Sequence, residues 1–239
     1  MPVHHPGLAV RLGEAGVLEK LLPSGVATSE LLAYPEDLKA HPAEEHLIAK
    51  SVEKRRRDFI GARHCARVAL EELGEPPVAI GKGERGMPLF PRGVVGSLTH
   101  CDGYRAAALA HALRFRSVGI DAEPHGPLPE GVLDSVSLPA EREWLAGTPD
   151  DGLHLDRLLF CAKEATYKAW FPLTLRWLGF EDAHITFEID SRTADSATGT
   201  FHTKLLVPGL TTDGGIPLTT FDGRWMIADG LILTAIAHG

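Results

Sequence analysis

The sequence predicts an α+β fold in which a long helix is followed, twice along the chain, by a small set of strands. Three observations predict it. Apolar residues fall at helical spacing over about residues 43–73 and again over about 153–170. Short strand-like runs gather after each helix instead of alternating with helices, which argues against a doubly wound sheet. Asp-Gly and Gly-Pro punctuation separates those runs at turn-like intervals.

Taken in order, residues 1 to about 45 read as irregular, with Pro2, Pro6, Pro23, Pro35 and Pro42 as punctuation. In the first helical run Ile48, Val52, Phe59, Ala62, Ala66, Ala69 and Leu73 keep helical spacing, and Gly74, Pro76 and Pro77 stop it. A Gly/Pro-rich loop spans 81–93, and strands are expected at 94–99, 105–113 and 116–121. The alanines within 105–113 weaken that strand, because alanine has little β preference. Gly126, Pro127 and Pro129 mark a break. Pro172 ends or kinks the second helix. Strands are expected at 184–189, 200–207, 225–228 and 231–237. Asp222-Gly223 and Asp229-Gly230 read as turns, the second as a hairpin.

Composition narrows the function. At 239 residues the chain can hold one large or two small domains. Its formal charge of −8 argues against nucleic-acid binding by overall electrostatics. Cys65, Cys101 and Cys161 are far apart and odd in number, as expected of a reduced cytoplasmic protein. The first ten residues carry no long apolar stretch of a secretory signal, and no apolar run is long enough to span a bilayer.

Two acidic motifs carry the chemistry. Asp121 and Glu123 follow the strand-like run Val118-Gly119-Ile120, and residues two apart share a strand face. About forty residues later, Lys163-Glu164-Ala165-Thr166-Tyr167-Lys168 lies on the second helix, with Glu164 and Lys168 on one face. Carboxylates suit Mg²⁺ and lysines suit phosphate, so convergence here would make a site for a metal-bound pyrophosphate. Read alone, Glu164–Lys168 is equally an ordinary ion pair, and Asp121-x-Glu123 an exposed strand end.

Upstream lie three anion-binding candidates. Lys54-Arg55-Arg56-Arg57 is followed by Arg63 and Arg67; Arg56, Arg63 and Arg67 fall on one helical stripe, as a phosphate site or a solvated basic face. Gly81-Lys82-Gly83-Glu84-Arg85-Gly86 has a dinucleotide-like glycine pattern, but Met87-Pro88-Leu89-Phe90-Pro91 excludes the helix that such a motif must open. It reads as a flexible loop or as a backbone lying against a ligand, with Lys82 and Arg85 toward an anion. Ser97 and Thr99 share a strand face that His100 ends; these groups bond a polar ligand or the local backbone.

Together these motifs resemble the 4′-phosphopantetheinyl transferases of the Sfp/EntD type. GIDAE, KEATYK, KRRRDFIGARHCARVAL, GKGERGMP and SLTH stand in the family's order over about residues 50–180. Ala122 between the carboxylates and Phe160 in place of a frequent tryptophan depart from the pattern. The resemblance implies a pseudo-dimer of two similar α+β subdomains, 1–116 and 117–239, each a long helix on a small, mainly antiparallel sheet. The active site is then expected in the cleft between them, and the chain is expected to be monomeric.

The implied reaction moves the phosphopantetheine arm of coenzyme A to a serine of an apo acyl or peptidyl carrier protein, with adenosine 3′,5′-bisphosphate released. The resemblance assigns Asp121, Glu123 and Glu164 to Mg²⁺, with Mn²⁺ an acceptable substitute, and Glu164 and Lys168 to catalysis. It assigns Arg55, Arg63, Lys82, Arg85, Met87, Pro88, Ser97, Thr99, His100, Lys163 and Lys168 to coenzyme A. Helical spacing alone favours Arg56 over Arg55 as the partner of Arg63. A Mg²⁺-dependent nucleotide phosphohydrolase and a non-catalytic coenzyme A-binding module are the competing readings.

Overall fold

The alanine-rich run, of weak strand propensity, is the central strand of the first sheet. The computed structural model describes residues 16–149, 151–193 and 196–239; the expectations about Pro2, Pro6 and the first ten residues lie outside them. Strand β1 (Val26–Leu31) precedes helix α1 (Glu53–Glu72). A two-stranded ribbon, β2 (Gly81–Lys82) with β3 (Pro88–Leu89), then leads into β4 (Val94–Cys101) and β5 (Tyr104–His111). These form a three-stranded sheet in the order β1-β5-β4.

In β5, Ala107 and Leu109 pack with Cys65, Ala66 and Ala69 of α1. Ala106, Ala108 and Ala110 face the other way, into a core shared with Val118, Ile120, Leu233 and Ala235. Alternate residues point to opposite faces, and both faces are covered. Small side chains let both neighbours approach closely, so burial overrides alanine's weak strand propensity.

The second half repeats the plan with a strand first. Strand β6 (Ser117–Pro124) is followed by α2 (Val132–Val136), α3 (Pro139–Gly147) and α4 (Leu155–Thr174). Four strands follow: β7 (Ala183–Arg192), β8 (Ala197–Gly209), β9 (Leu218–Ala228) and β10 (Leu231–His238). They form an antiparallel sheet in the order β6-β10-β9-β8-β7, with α4 lying on β6 and β10. The α+β class holds, with each long helix packed on an antiparallel sheet.

Five expectations need correction. Strand β1 lies within the stretch read as irregular; its strand state comes from pairing along β5, a contact no local signal announces. The first helix is shorter at its start. Residues 42–48 are a separate 3₁₀ segment, in which buried Glu44 bonds Arg67 and the Ile80 N–H. Asp222-Gly223 is inside β9, where the missing Cβ makes room for the Phe201 ring. Helix α4 continues through Pro172 to Thr174 before Leu175 adopts a left-handed conformation (φ 51°). Helices α2 and α3 fill a region read only as a break. Asp229-Gly230 does join β9 to β10, with φ of 52° and 75° as the tight hairpin turn requires.

Candidate active site

Gly119 sets the site's geometry. A Cβ on it would run into the Ala165 carbonyl and come within 2.8 Å of the Ala169 N, so the glycine lets α4 lie directly on β6. Glu164 and Lys168 on α4 are thereby brought beside Asp121 on β6.

Lys168 donates to Asp121 Oδ1 at 2.7 Å and to the Ile120 carbonyl at 3.1 Å. Burial pulls the Lys168 ammonium down, but the Asp121 carboxylate lifts it above its ordinary value, so it stays charged. The Glu164 carboxyl is pushed up by burial and then by Asp121, with Lys168 opposing. Glu123 is raised by burial and Asp121, while Arg157 opposes. The Arg157 guanidinium donates to Glu123 Oε2 at 2.7 Å and to the Pro127 carbonyl at 2.6 Å. Cys101, at the end of β4, is pushed up to about 12 by burial and by Glu123 and Asp121.

Two hydroxyls stitch the sheets together beneath this cluster. Ile120 N donates to Ser97 Oγ at 3.1 Å, and Ala122 N donates to Thr99 Oγ1 at 3.0 Å. Thr99 donates in turn to Asp121 Oδ1 at 3.1 Å. Residues two apart on β4 therefore satisfy N–H groups two apart on the free edge of β6. Both side chains border the cleft, and their hydroxyls also bond the edge of β6, a role the sequence did not show.

The cluster opens on a cleft of about 880 Å³. Arg55, Arg63, Lys82, Arg85, Met87, Pro88, His100, Glu164 and Lys168 all line it. Arg56 instead donates to the Ile48 carbonyl at 2.9 Å, so it is Arg55 that borders the cleft, against the helical-spacing argument. Arg63 lies over the Phe59 ring at 3.4 Å and donates to the Ile80 carbonyl at 2.9 Å, anchoring the start of the ribbon. Burial pulls it down to about 10, which leaves it charged at neutral pH. Lys82, Arg55 and His100 are exposed.

Lys163 is not part of the cleft. Its ammonium is buried against Glu141 of α3 (2.8 Å) and the carbonyls of Phe180 (2.7 Å) and Ala183 (3.0 Å). Burial lowers it, with Glu141 opposing. Its assignment as a pyrophosphate contact is therefore corrected: helix α3, invisible in the sequence, covers that side of α4.

Sequence reasoning also missed Arg157 and an aromatic wall. Arg157, Glu164 and Lys168 are spaced seven and four apart, which puts them on one stripe of α4, so a signal was present. Tyr167 and Phe171 line the cleft, the Trp177 ring lies tilted with its centroid 5.1 Å from that of Tyr167, and Arg85 lies 5.1 Å from the Trp177 ring. The Tyr167 hydroxyl is buried without a partner.

Among the described residues, no three His, Cys, Asp or Glu side chains gather as a ready metal cluster. Asp121 and Glu123 are instead neutralised by Lys168 and Arg157. The donor chemistry nevertheless fits a hard divalent ion. Asp121 Oδ2 is buried without a partner, and Asp121 raises both Glu123 and Glu164, a repulsion that an added cation relieves.

Comparison with known proteins gives the family. Residues 43–110 match the 4′-phosphopantetheinyl transferase N-terminal domain, and residues 117–208 match the 4′-phosphopantetheinyl transferase superfamily. The chain is 80% identical over 222 residues to 4′-phosphopantetheinyl transferase Npt of Nocardia iowensis, covering 93% of this chain and 100% of that one. It is 57% identical over 222 residues to 4′-phosphopantetheinyl transferase PptT of Mycobacterium tuberculosis, covering 93% and 96%. It is 48% identical over 228 residues to 4′-phosphopantetheinyl transferase Svp of Streptomyces mobaraensis, covering 92% and 89%. The chain belongs to the 4′-phosphopantetheinyl transferase superfamily and is an enzyme of that transferase class.

Proposed function

We propose that the cleft transfers the phosphopantetheine arm of coenzyme A to a serine hydroxyl of an apo acyl or peptidyl carrier protein. The observation that carries this reading is Glu164, a carboxylate of raised pKa beside the Asp121–Lys168 pair and on the edge of a cation-lined cleft. Arg55, Lys82, Arg85 and His100 give the anionic end of coenzyme A a binding wall, and Tyr167 and Phe171 give its less polar arm another.

Asp121, Glu123 and Glu164 are the residues that would hold Mg²⁺ or Mn²⁺; the ion, when bound, supplies charge neutralisation at the pyrophosphate. Glu164 accepts the serine proton as the serine oxygen bonds to phosphorus, and the bond to adenosine 3′,5′-bisphosphate breaks. Lys168 holds Asp121 in place and keeps a positive charge beside the departing phosphate. Residues 1–116 then form the subdomain that binds coenzyme A, and residues 117–239 the one that carries the acidic site. A chain that contains both halves works as a monomer, and its substrates place it in the cytoplasm.

The test incubates the protein with coenzyme A, Mg²⁺ and an apo carrier protein. A carrier that gains the phosphopantetheine mass, with nucleotide bisphosphate released, supports the reading. Nucleotide cleavage with the carrier unmodified, or binding without product, rejects it.

A further inference from the structure

We infer that Arg157 is a positioning residue that aims Glu123 at the ion site, an inference that rests on the proposed site of Asp121, Glu123 and Glu164. The two strand carboxylates share one pattern. In Asp121, Oδ1 is tied down by Lys168 and Thr99, and Oδ2 is buried without a partner. In Glu123, Oε2 is tied by Arg157 at 2.7 Å, with no other bond described to the carboxylate. Each carboxylate thus has one oxygen fixed by a cation and the other left over. A carboxylate that binds a metal through one oxygen is commonly oriented by a fixed donor on the other.

Arg157 is itself held in place. Its second amino group donates to the Pro127 carbonyl at 2.6 Å while its Nε–H is buried without a partner, and its backbone N–H donates to Asp156 Oδ1 at 2.8 Å. Asp156 also accepts from Leu128 N at 2.9 Å, so the first turn of α4 clamps the loop that follows β6. A guanidinium presents two parallel donors in a rigid fork, which suits holding a carboxylate and a carbonyl at a fixed angle. Arg157 also shares a helical stripe with Glu164 and Lys168, so one face of α4 supplies a ligand and the two cations that orient the others.

A plain charge effect makes the opposite prediction. Arg157 is a positive charge beside a cation site, so removing it without positioning would tighten metal binding. Mn²⁺ affinity, measured by electron paramagnetic resonance on the protein without coenzyme A, separates the two. Arg157→Met is expected to weaken Mn²⁺ binding about 10- to 100-fold despite the lost charge. Arg157→Lys, which keeps the charge but not the fork, is expected to recover part of the loss.

In a Glu123→Gln background, Arg157→Met is expected to cause no further loss, because its effect passes through Glu123. Asp121→Asn serves as the control for the site itself, with thermal melting used to confirm that each variant folds. If Asp121→Asn weakens Mn²⁺ binding while Arg157→Met leaves it unchanged or tighter, the positioning role is overturned and the ion site stands. If Asp121→Asn has no effect, the ion site fails and the positioning role with it.

Discussion

Lys168 and Asp121 meet at 2.7 Å across the contact between α4 and β6, and the same Asp121 oxygen accepts from Thr99 of the other sheet. One carboxylate oxygen is thus shared by a helix and a strand from opposite halves of the chain. The second oxygen of Asp121 stays buried and unbonded, which makes the pair a prepared half-site.

Glu164→Gln is expected to abolish transfer and, in the presence of a chelator, to raise the melting temperature at neutral pH. The Glu164 pKa is raised in the folded protein, so the native state holds that proton more tightly than the unfolded chain. Native stability is then lost as pH rises from the ordinary carboxylate range through the raised value. Glutamine never ionises, so the two proteins should melt alike in acid and diverge above that window. Added Mg²⁺ should stabilise the wild type and leave the variant largely unmoved. Melting curves from pH 4 to pH 8 check the sign.

Lys163→Met is expected to act on stability. Glu141 accepts from Ile185 N and donates nothing, so removing Lys163 leaves a buried carboxylate without its cation. Breaking such a pair costs about 3–5 kcal/mol. Urea unfolding should show that loss, and Lys163→Met with Glu141→Gln should recover part of it. Coenzyme A affinity of the folded fraction should be unchanged.

Lys82→Ala should weaken coenzyme A binding by no more than about fivefold, because an exposed ion pair contributes only about 0.2–1 kcal/mol. The loss should shrink at high salt, and the carrier-protein KM should not move. Calorimetric titration at two salt concentrations measures it.

Gly119→Ala should cost about 1–3 kcal/mol, since its Cβ meets helix backbone that cannot rotate away. Transfer should fall with it, because Asp121 and Lys168 are aligned by that contact. Chemical denaturation together with a transfer assay tests both consequences.

What the sequence made legible follows the range of the interactions involved. Motifs carried by one element could be read: Glu164 and Lys168 on a helix face, and Asp121 and Glu123 on a strand face. What failed depended on a partner element. Lys163 looked free because Glu141, its buried counter-ion, lies on α3, in a stretch read only as a break. The bonds from Ser97 and Thr99 to β6 were hidden because the exposed N–H edge of β6 cannot be seen without the sheet order. Strand β1 was hidden because its state is imposed by β5. Arg157 was the exception, since its spacing to Glu164 was readable and only its target was not.

The stitches from Ser97 and Thr99 make the acidic site sensitive to how the two halves are joined. Among the described residues no backbone ladder links β4 to β6, so beside the core that β5 shares with β6 and β10 their alignment at this edge rests on side-chain bonds, one of which ends on Asp121 itself. Ligand affinity therefore reports on assembly. A shift between the two sheets would carry Asp121 away from Thr99, and anything that binds the finished site favours the docked arrangement.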